Sequence, residues 1–444
     1  MGTISGFIFD YSKCVGCHAC VVACTVENST VPPLNWRKVN HFNRQKLPLL
    51  GFVHQSLACN HCQEAPCLKA CPSGAYKIDP ETKAVIHTPE LCLGCKYCTW
   101  VCPFDAPKFN AQSGIVEKCH LCYHRLKEGQ IPACAQNCPT GALSFDEIEE
   151  QPNPNAFGLS ERNVYPRIKI VGNKVQSIVP QIDLAATTST PVNSNRILFQ
   201  ENANSMEWLK EWPLAVFTFL SAFLVGWFWA GIGNHSIPLS PWLMLVIAGV
   251  AMAVSTLHLG KPLRAYKSIN NLITSWLSRE ILMFGLFVWV GFISIFFNNI
   301  WTAYLASGLG FILLISIEML YVSVRSGPKS LLSSGNTIAI ALVFASLFGE
   351  HMSLLIALLA FKTMIYLIKV GSSLSNITPA IAMVSLVRLI LGFVIPFGLI
   401  ALRNESFSWV LLLSVILGEI IDRLIFYREF KPERPFESYL ADVR

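Results

Sequence analysis

Sixteen cysteines make the first chemical signal in this 444-residue chain, and none follows Cys138. They fall into four groups of four: Cys14, Cys17, Cys20, Cys24; Cys59, Cys62, Cys67, Cys71; Cys92, Cys95, Cys98, Cys102; and Cys119, Cys122, Cys134, Cys138. Thiolates are soft ligands that select zinc or iron–sulfur clusters. The first and third groups are the C-x2-C-x2-C-x3-C run of bacterial ferredoxins. The second and fourth stretch the middle but keep C-x3-C, and Pro72, Pro103 and Pro139 follow the last three groups. Three thiolates on a tight loop reach three irons of one cubane, while the fourth points away to a second. Isolated C-x2-C pairs also bind tetrahedral zinc, but four consecutive quartets point to iron. Sixteen ligands fill four [4Fe–4S] clusters with none left over.

In a two-cluster ferredoxin the last cysteine of each motif crosses to the other cluster. The adjacent second and third groups form one such pair, enclosed by the first and fourth. The expected ligand sets are Cys14/Cys17/Cys20/Cys138, Cys24/Cys119/Cys122/Cys134, Cys59/Cys62/Cys67/Cys102 and Cys71/Cys92/Cys95/Cys98. Gly16, Gly74, Gly94 and Gly141 mark turns that let backbone amides approach sulfur. Lys83–His87 and Gly141–Phe145 read as short strands beside the motifs, and 167–171 with 175–179 as a hairpin.

The second candidate is a pair of ionisable residues inside apolar sequence, His258 and Glu280. The composition explains why that is unusual. Hydrophobic residues make up 52% of the chain and charged ones only 14%, with mean hydropathy +0.46, against about 25% charged in soluble domains. No Asp, Glu, Lys or Arg occurs from Trp212 to Gly260. A bilayer crossing takes about 20 residues, so this run suits two spans, divided at 234–238. Six more are expected: two in 281–324, two in 331–369, then 379–402 and 407–427. The fold class is thus an α+β four-cluster ferredoxin-like domain of two double-cluster units (1–185), a linker (186–205), an all-α eight-helix transmembrane bundle (206–430) and a C-terminal tail (431–444). The net charge of +6 is spread out, which sets nucleic-acid binding aside.

Lys261, Arg264, Lys267, Arg279, Arg325, Lys329, Lys369, Arg428, Lys431 and Arg434 all fall on the front-domain side of the spans, and only Arg403 on the other. The positive-inside rule therefore places the iron–sulfur domain on the cytoplasmic side of the cell membrane. No export signal is read before Cys14, and a reducing cytoplasm argues against sixteen disulfide cysteines.

The front, residues 1–190, resembles the electron-transfer subunit of dimethyl sulfoxide reductase and its molybdopterin-enzyme relatives. The resemblance rests on Cys92-Leu-Gly-Cys-Lys-Tyr-Cys-Thr-Trp-Val-Cys-Pro103 and Lys118-Cys-His-Leu-Cys122. The rear, 206–430, resembles the membrane anchor of the same reductases through Leu257-His-Leu-Gly-Lys-Pro262 and Ser278-Arg-Glu-Ile-Leu282. In most relatives these are separate chains; here they are fused. The resemblance implies [4Fe–4S] at all four sites, because no tryptophan replaces a cysteine as in [3Fe–4S] relatives. It further implies that the Cys59 cluster faces the membrane and the Cys14 cluster a molybdopterin catalytic subunit.

His258 and Glu280 are then the expected site for menaquinol from the quinone pool. A histidine can take a proton from a quinol hydroxyl near neutral pH, and intramembrane ionisable groups are functional candidates. Alternatively His258 caps its helix and Glu280 pairs with Arg279 or Lys261. Trp227, Trp229, Trp242, Trp276 and Trp301 read mostly as the aromatic belt of the membrane interface, with Trp276, beside the 258–280 loop, the alternative candidate for the pocket wall. Glu318, Lys362 and Arg388 are expected to pair with one another inside the bundle. The function expected is menaquinol oxidation with electron transfer to a separate reductase, as one subunit of an oxidoreductase complex with no terminal-acceptor site of its own. The alternative is the reverse, from a dehydrogenase to quinone.

Overall fold

The computed structural model describes residues 2–31, 34–42, 53–149, 164–171, 211–233, 239–324, 333, 335–373, 379–402 and 408–429. Cα packing divides the chain into two units, Met1–Ser205 with Pro432–Arg444, and Met206–Lys431.

In the first unit a three-stranded sheet ties the ends of the cysteine region together. β1 (Thr3–Asp10) is central, between an antiparallel β8 (Leu143–Glu149) and a parallel β9 (Ile168–Val171). Alternation along β1 turns Phe7 and Phe9 into the core, and Phe7 meets Phe145 edge-on at 5.4 Å. Because β1 leads into Cys14 and β8 follows Cys138, the Phe9–Leu143 register brings the first and fourth cysteine groups together. Arg167 staples the arrangement: it is buried, and it donates to the Ser5 and Lys83 carbonyls.

Three hairpins fill the interval: β2 (Lys38–Phe42) with β3 (Val53–Leu57), β4 (Tyr76–Ile78) with β5 (Val85–His87), and β6 (Lys108–Asn110) with β7 (Ile115–Glu117). Short helices carry the cysteines: α1 (Ala19–Asn28), α2 (Pro66–Ala70), α3 (Tyr97–Val101), α4 (Tyr123–Lys127) and α5 (Ala133–Gln136).

Both expected strands begin later than the sequence suggested. Lys83 has φ +56° and ends a turn in which Asp79 accepts from the Thr82 amide at 2.8 Å, so β5 starts at Val85. Gly141 has φ +63° and belongs to the turn before β8. Ile168–Val171 is a strand, but its partner is β1; the second arm of the expected hairpin lies outside the described residues.

The second unit is helical. Its elements are α6 (Trp212–Gly233), α7 (Pro241–Thr256), α8 (Trp276–Phe297), α9 (Ile300–Val324), α10 (Thr337–Phe348), α11 (Met352–Ser373), α12 and α13 (Ser408–Glu429). α12 is Pro379–Leu389 continued through a π-helical turn, Ile390–Val394, into Ile395–Leu402. By length and composition, four helices among the described residues could cross a membrane: Trp212–Ile232, Trp276–Phe297, Ile300–Val324 and Ala382–Leu402. α7 and α10 are shorter, and α13 carries Glu419, Asp422 and Arg423, which the apolar reading of that span passed over. Gly392 of the π turn faces Gly418 of α13, where a Cβ on Gly418 would collide with backbone. Small residues let helices approach this closely.

Candidate functional site

The two compact cysteine loops share one backbone device. Gly16 and Gly94 have φ +71° and +72°, and the residues after the next cysteine, His18 and Lys96, have φ +65° and +60°. These left-handed residues turn successive amides inward before α1 and α3 begin, making an anion-binding concavity. Amides do reach sulfur nearby: Ala75 N–H to Cys71 Sγ at 3.3 Å, Leu121 N–H to Cys119 Sγ at 3.3 Å and Leu143 N–H to Cys138 Sγ at 3.4 Å. At Gly16 a Cβ would sit 2.9 Å from the His54 ring, and the positive φ is strained for any other residue. Gly16→Ala is therefore expected to lower the iron bound per chain, read by metal analysis of purified protein.

The fold gathers sulfurs from distant parts of the sequence. Cys14, Cys17, Cys20 and Cys138 line one pocket, and Cys59, Cys62, Cys67 and Cys102 line another. The thiols acting electrostatically on Cys24 are Cys134 and Cys122, and on Cys95 they are Cys71 and Cys92. Among the described residues no three His, Cys, Asp or Glu side chains converge on one ion. The quartets surround volumes instead, which fits a multi-iron cluster with a metal under each ligand. Burial pushes Cys24 and Cys95 up to about 12 and Cys102 to about 11, so these thiols ionise only when a metal displaces the proton.

The sets also have an order. Cys20 feels Cys134, Cys119 feels both Cys24 and Cys59, and Cys98 feels Cys67. The Cys14 set thus neighbours the Cys24 set, which neighbours the Cys59 set, which neighbours the Cys71 set. The Cys59 set has neighbours on both sides, and the Cys71 set lies at the end of the series opposite the Cys14 set. Besides Arg167, which acts on Cys59 and Cys62, two more buried cations among the described residues sit near the thiols. Lys118 donates to the Cys119 carbonyl at 2.8 Å, and Arg37, which no motif flagged, donates to Ser56 Oγ at 3.0 Å.

In the helical unit His258 lies just past α7, half-buried, with Nδ1 against the Ser255 carbonyl. A 3-10 helix, Pro262–Ile269, and the α8 N-cap Ser275 separate it from Glu280. Glu280 is buried, on the inward stripe with Phe284, Phe287 and Gly291. One turn further, Phe284 packs on Phe217 of α6 at 5.2 Å. Arg279 donates to the Leu272 carbonyl at 2.9 Å and lies over Trp276 at 4.4 Å. Its guanidinium is thus engaged with the loop and with the indole.

The three deep charges do not pair with one another. Each meets the last helix: Lys362 with Glu419 at 2.5 Å, Arg388 with Asp422 at 2.6 Å, and Glu318 with Arg423 at 3.9 Å. Residues 419, 422 and 423 share one face of α13, by the i, i+3, i+4 rule. Glu318, Lys362 and Arg388 lie on three different helices, and one charged helix face reaches all of them. Glu318 also accepts from the Thr337 amide and hydroxyl at 2.8 and 2.7 Å, and Arg423 donates to Thr218 Oγ at 2.9 Å and the Gly335 carbonyl at 2.7 Å.

Comparison with known proteins divides the sequence at the same place. Residues 7–27 match the family described as a 4Fe-4S binding domain, 51–148 a 4Fe-4S dicluster domain, and 206–324 the DMSO reductase anchor subunit (DmsC). The front is 37% identical over 154 residues to a chain of the anaerobic dimethyl sulfoxide reductase of Haemophilus influenzae, covering 33% of this protein and 75% of that one. It is 38% identical over 158 residues to YnfG of Escherichia coli K12, a probable anaerobic dimethyl sulfoxide reductase chain, covering 34% and 77%. It is also 31% identical over 188 residues to a subunit of the sulfite dehydrogenase of Allochromatium vinosum, covering 38% and 78%.

Proposed function

We propose, from the premise that this protein belongs to the family of dimethyl sulfoxide reductase iron–sulfur subunits and continues into a membrane anchor of the DmsC type, that it oxidises menaquinol and passes the electrons to a separate molybdopterin catalytic subunit. The observation that carries this reading is the unbroken series of four sulfur quartets in a chain that also holds His258 and Glu280 beside an anchor helix. The ligands are Cys14/Cys17/Cys20/Cys138, Cys24/Cys119/Cys122/Cys134, Cys59/Cys62/Cys67/Cys102 and Cys71/Cys92/Cys95/Cys98. A bound [4Fe–4S] cluster supplies one-electron chemistry at each quartet. The protein's own part is to hold the quartets in series, with the Cys71 set at one end and the Cys14 set at the other. His258 accepts a proton from a quinol hydroxyl, and Glu280 orients the ring or relays that proton.

The reverse direction, from a dehydrogenase partner to quinone, keeps the same parts. Relatives named for a reductase and for a dehydrogenase leave both in play. Cluster midpoint potentials against that of menaquinone decide between them.

The test is direct. Anaerobically purified protein should carry about sixteen irons, and a menaquinol analogue should reduce them in lipid vesicles without any other subunit. Iron near half that value, or zinc in its place, overturns the four-cluster reading. Full iron that quinol cannot reduce overturns the quinol reading.

The eight-span topology, with the iron–sulfur domain on the cytoplasmic side, carries its own test. Reporters after Arg444 and within 261–275 should be active on the cytoplasmic side, and reporters at Asn234 and Asn299 on the opposite side. A periplasmic signal after Arg444 reverses the orientation.

A further inference from the structure

Arg37 stands immediately before β2 and is only 2% exposed. Among the described residues no carboxylate pairs with it, and its Nε carries no hydrogen bond. A buried charge without a counter-charge is costly, so what balances it matters. The guanidinium lies 4.8 Å over the Phe7 ring, and its Nη1 donates to Ser56 Oγ at 3.0 Å. Ser56 is equally buried and sits on β3, one residue from the position facing Lys38. Its Oγ is 3.2 Å from Cys20 Sγ. Since Ser56 Oγ accepts from arginine, its own proton is free to point at the cysteine sulfur. The titratable groups that act most strongly on Arg37 are thiols of two different sets: Cys20 of the first, and Cys24, Cys119 and Cys134 of the second.

We propose that Arg37 is a tuning residue for the two clusters at the Cys14 end, raising the reduction potential of both by its fixed buried charge and acting additionally on the Cys14/Cys17/Cys20/Cys138 cluster through the Ser56–Cys20 hydrogen bond. This rests on the cluster pairing proposed above. The physics is that of a positive charge held in a poorly screened interior. Reduction adds one negative charge to each cluster, and a nearby cation stabilises that state. Net charge and hydrogen bonds to sulfur are the levers that set such potentials. Electrons are thereby drawn toward the Cys14 end, where Cys17 is the exposed cysteine.

The experiment is a redox titration of the full-length protein, followed by paramagnetic resonance, with iron counted on each sample. Arg37→Met should move two of four transitions to lower potential, each by at least a tenfold change in the reduced-to-oxidised ratio at the wild-type midpoint, which is about 59 mV for one electron. Arg37→Lys, which keeps the charge, should stay closer to wild type. Ser56→Ala should move one transition downward and leave three in place. Four unchanged midpoints, or four moving together, overturn the proposal. If Arg37→Met loses iron, the Ser56→Ala titration decides, and an unmoved set of four there makes Arg37 a folding residue only. An iron count near eight in the wild type would instead break the pairing on which the proposal stands.

Discussion

His258→Ala should stop a menaquinol analogue from reducing the iron–sulfur centres while dithionite still reduces them fully. Dithionite reaches the clusters without the quinol site, so the two assays separate quinol chemistry from cluster assembly. The expected loss is large. General acid–base assistance is worth about 10²–10⁴-fold, and in the proposed role the histidine would also hold the substrate hydroxyl. Glu280→Gln tests the second half of the site. The substitution keeps size and hydrogen bonding but removes the carboxylate, so it should slow quinol oxidation if that carboxylate accepts a proton. It should do little if Glu280 only orients the ring. Full activity in both variants moves the site elsewhere. Iron loss in His258→Ala makes the histidine a structural cap, a reading its contact with the Ser255 carbonyl keeps alive.

The two halves of the protein are legible in the sequence for different reasons. The cysteine spacing is a local code, since three thiolates of each group must meet at one cluster while the fourth reaches the next, and Gly16 and Gly94 take left-handed turns inside that spacing. The meeting of the first and fourth groups follows from β1 and β8, whose pairing brings the ends of the cysteine region together. Arg37 is not legible. It lies in no motif, and its importance comes from a hairpin partner, Ser56, whose contact with Cys20 spans 36 residues. The strand starts differ by two residues because turn geometry at Lys83 and Gly141 depends on backbone φ, which apolar patterning does not report. The order of the sets is equally invisible, since it is set by how one ferredoxin unit packs on the other.

In the helical unit, run length and charge scarcity locate the helices but not their partners. Glu318, Lys362 and Arg388 stand out because each interrupts an apolar run. Glu419, Asp422 and Arg423 escape notice because they cluster near the end of theirs, where charges ordinarily reach the interface. Burial settles the matter: Arg388 is 1% exposed and Asp422 0%.

Asp422→Ala should accordingly be among the most destabilising single changes in the helical unit. It removes the carboxylate in contact with Arg388, leaving only Glu419, already paired with Lys362, within electrostatic reach, and Nε and Nη1 of that guanidinium already lack hydrogen bonds. What remains is the Tyr366 ring at 4.2 Å and the Phe393 ring at 4.0 Å. Breaking a buried pair by removing one partner costs about 3–5 kcal/mol, whereas replacing both partners with apolar residues is often neutral or better. Asp422→Ala should thus lower the thermal midpoint of detergent-solubilised protein sharply, and Arg388→Met with Asp422→Leu should recover most of it. The double variant also separates two roles for the charged face of α13. If it folds and oxidises quinol at the wild-type rate, the pair serves packing alone. If it folds with full iron but oxidises quinol slowly, the buried charges take part in moving the protons of the proposed quinol site. If the double variant is no more stable than the single one, the loss comes from disturbing the close Gly392–Gly418 crossing next to Arg388 rather than from an unpaired charge.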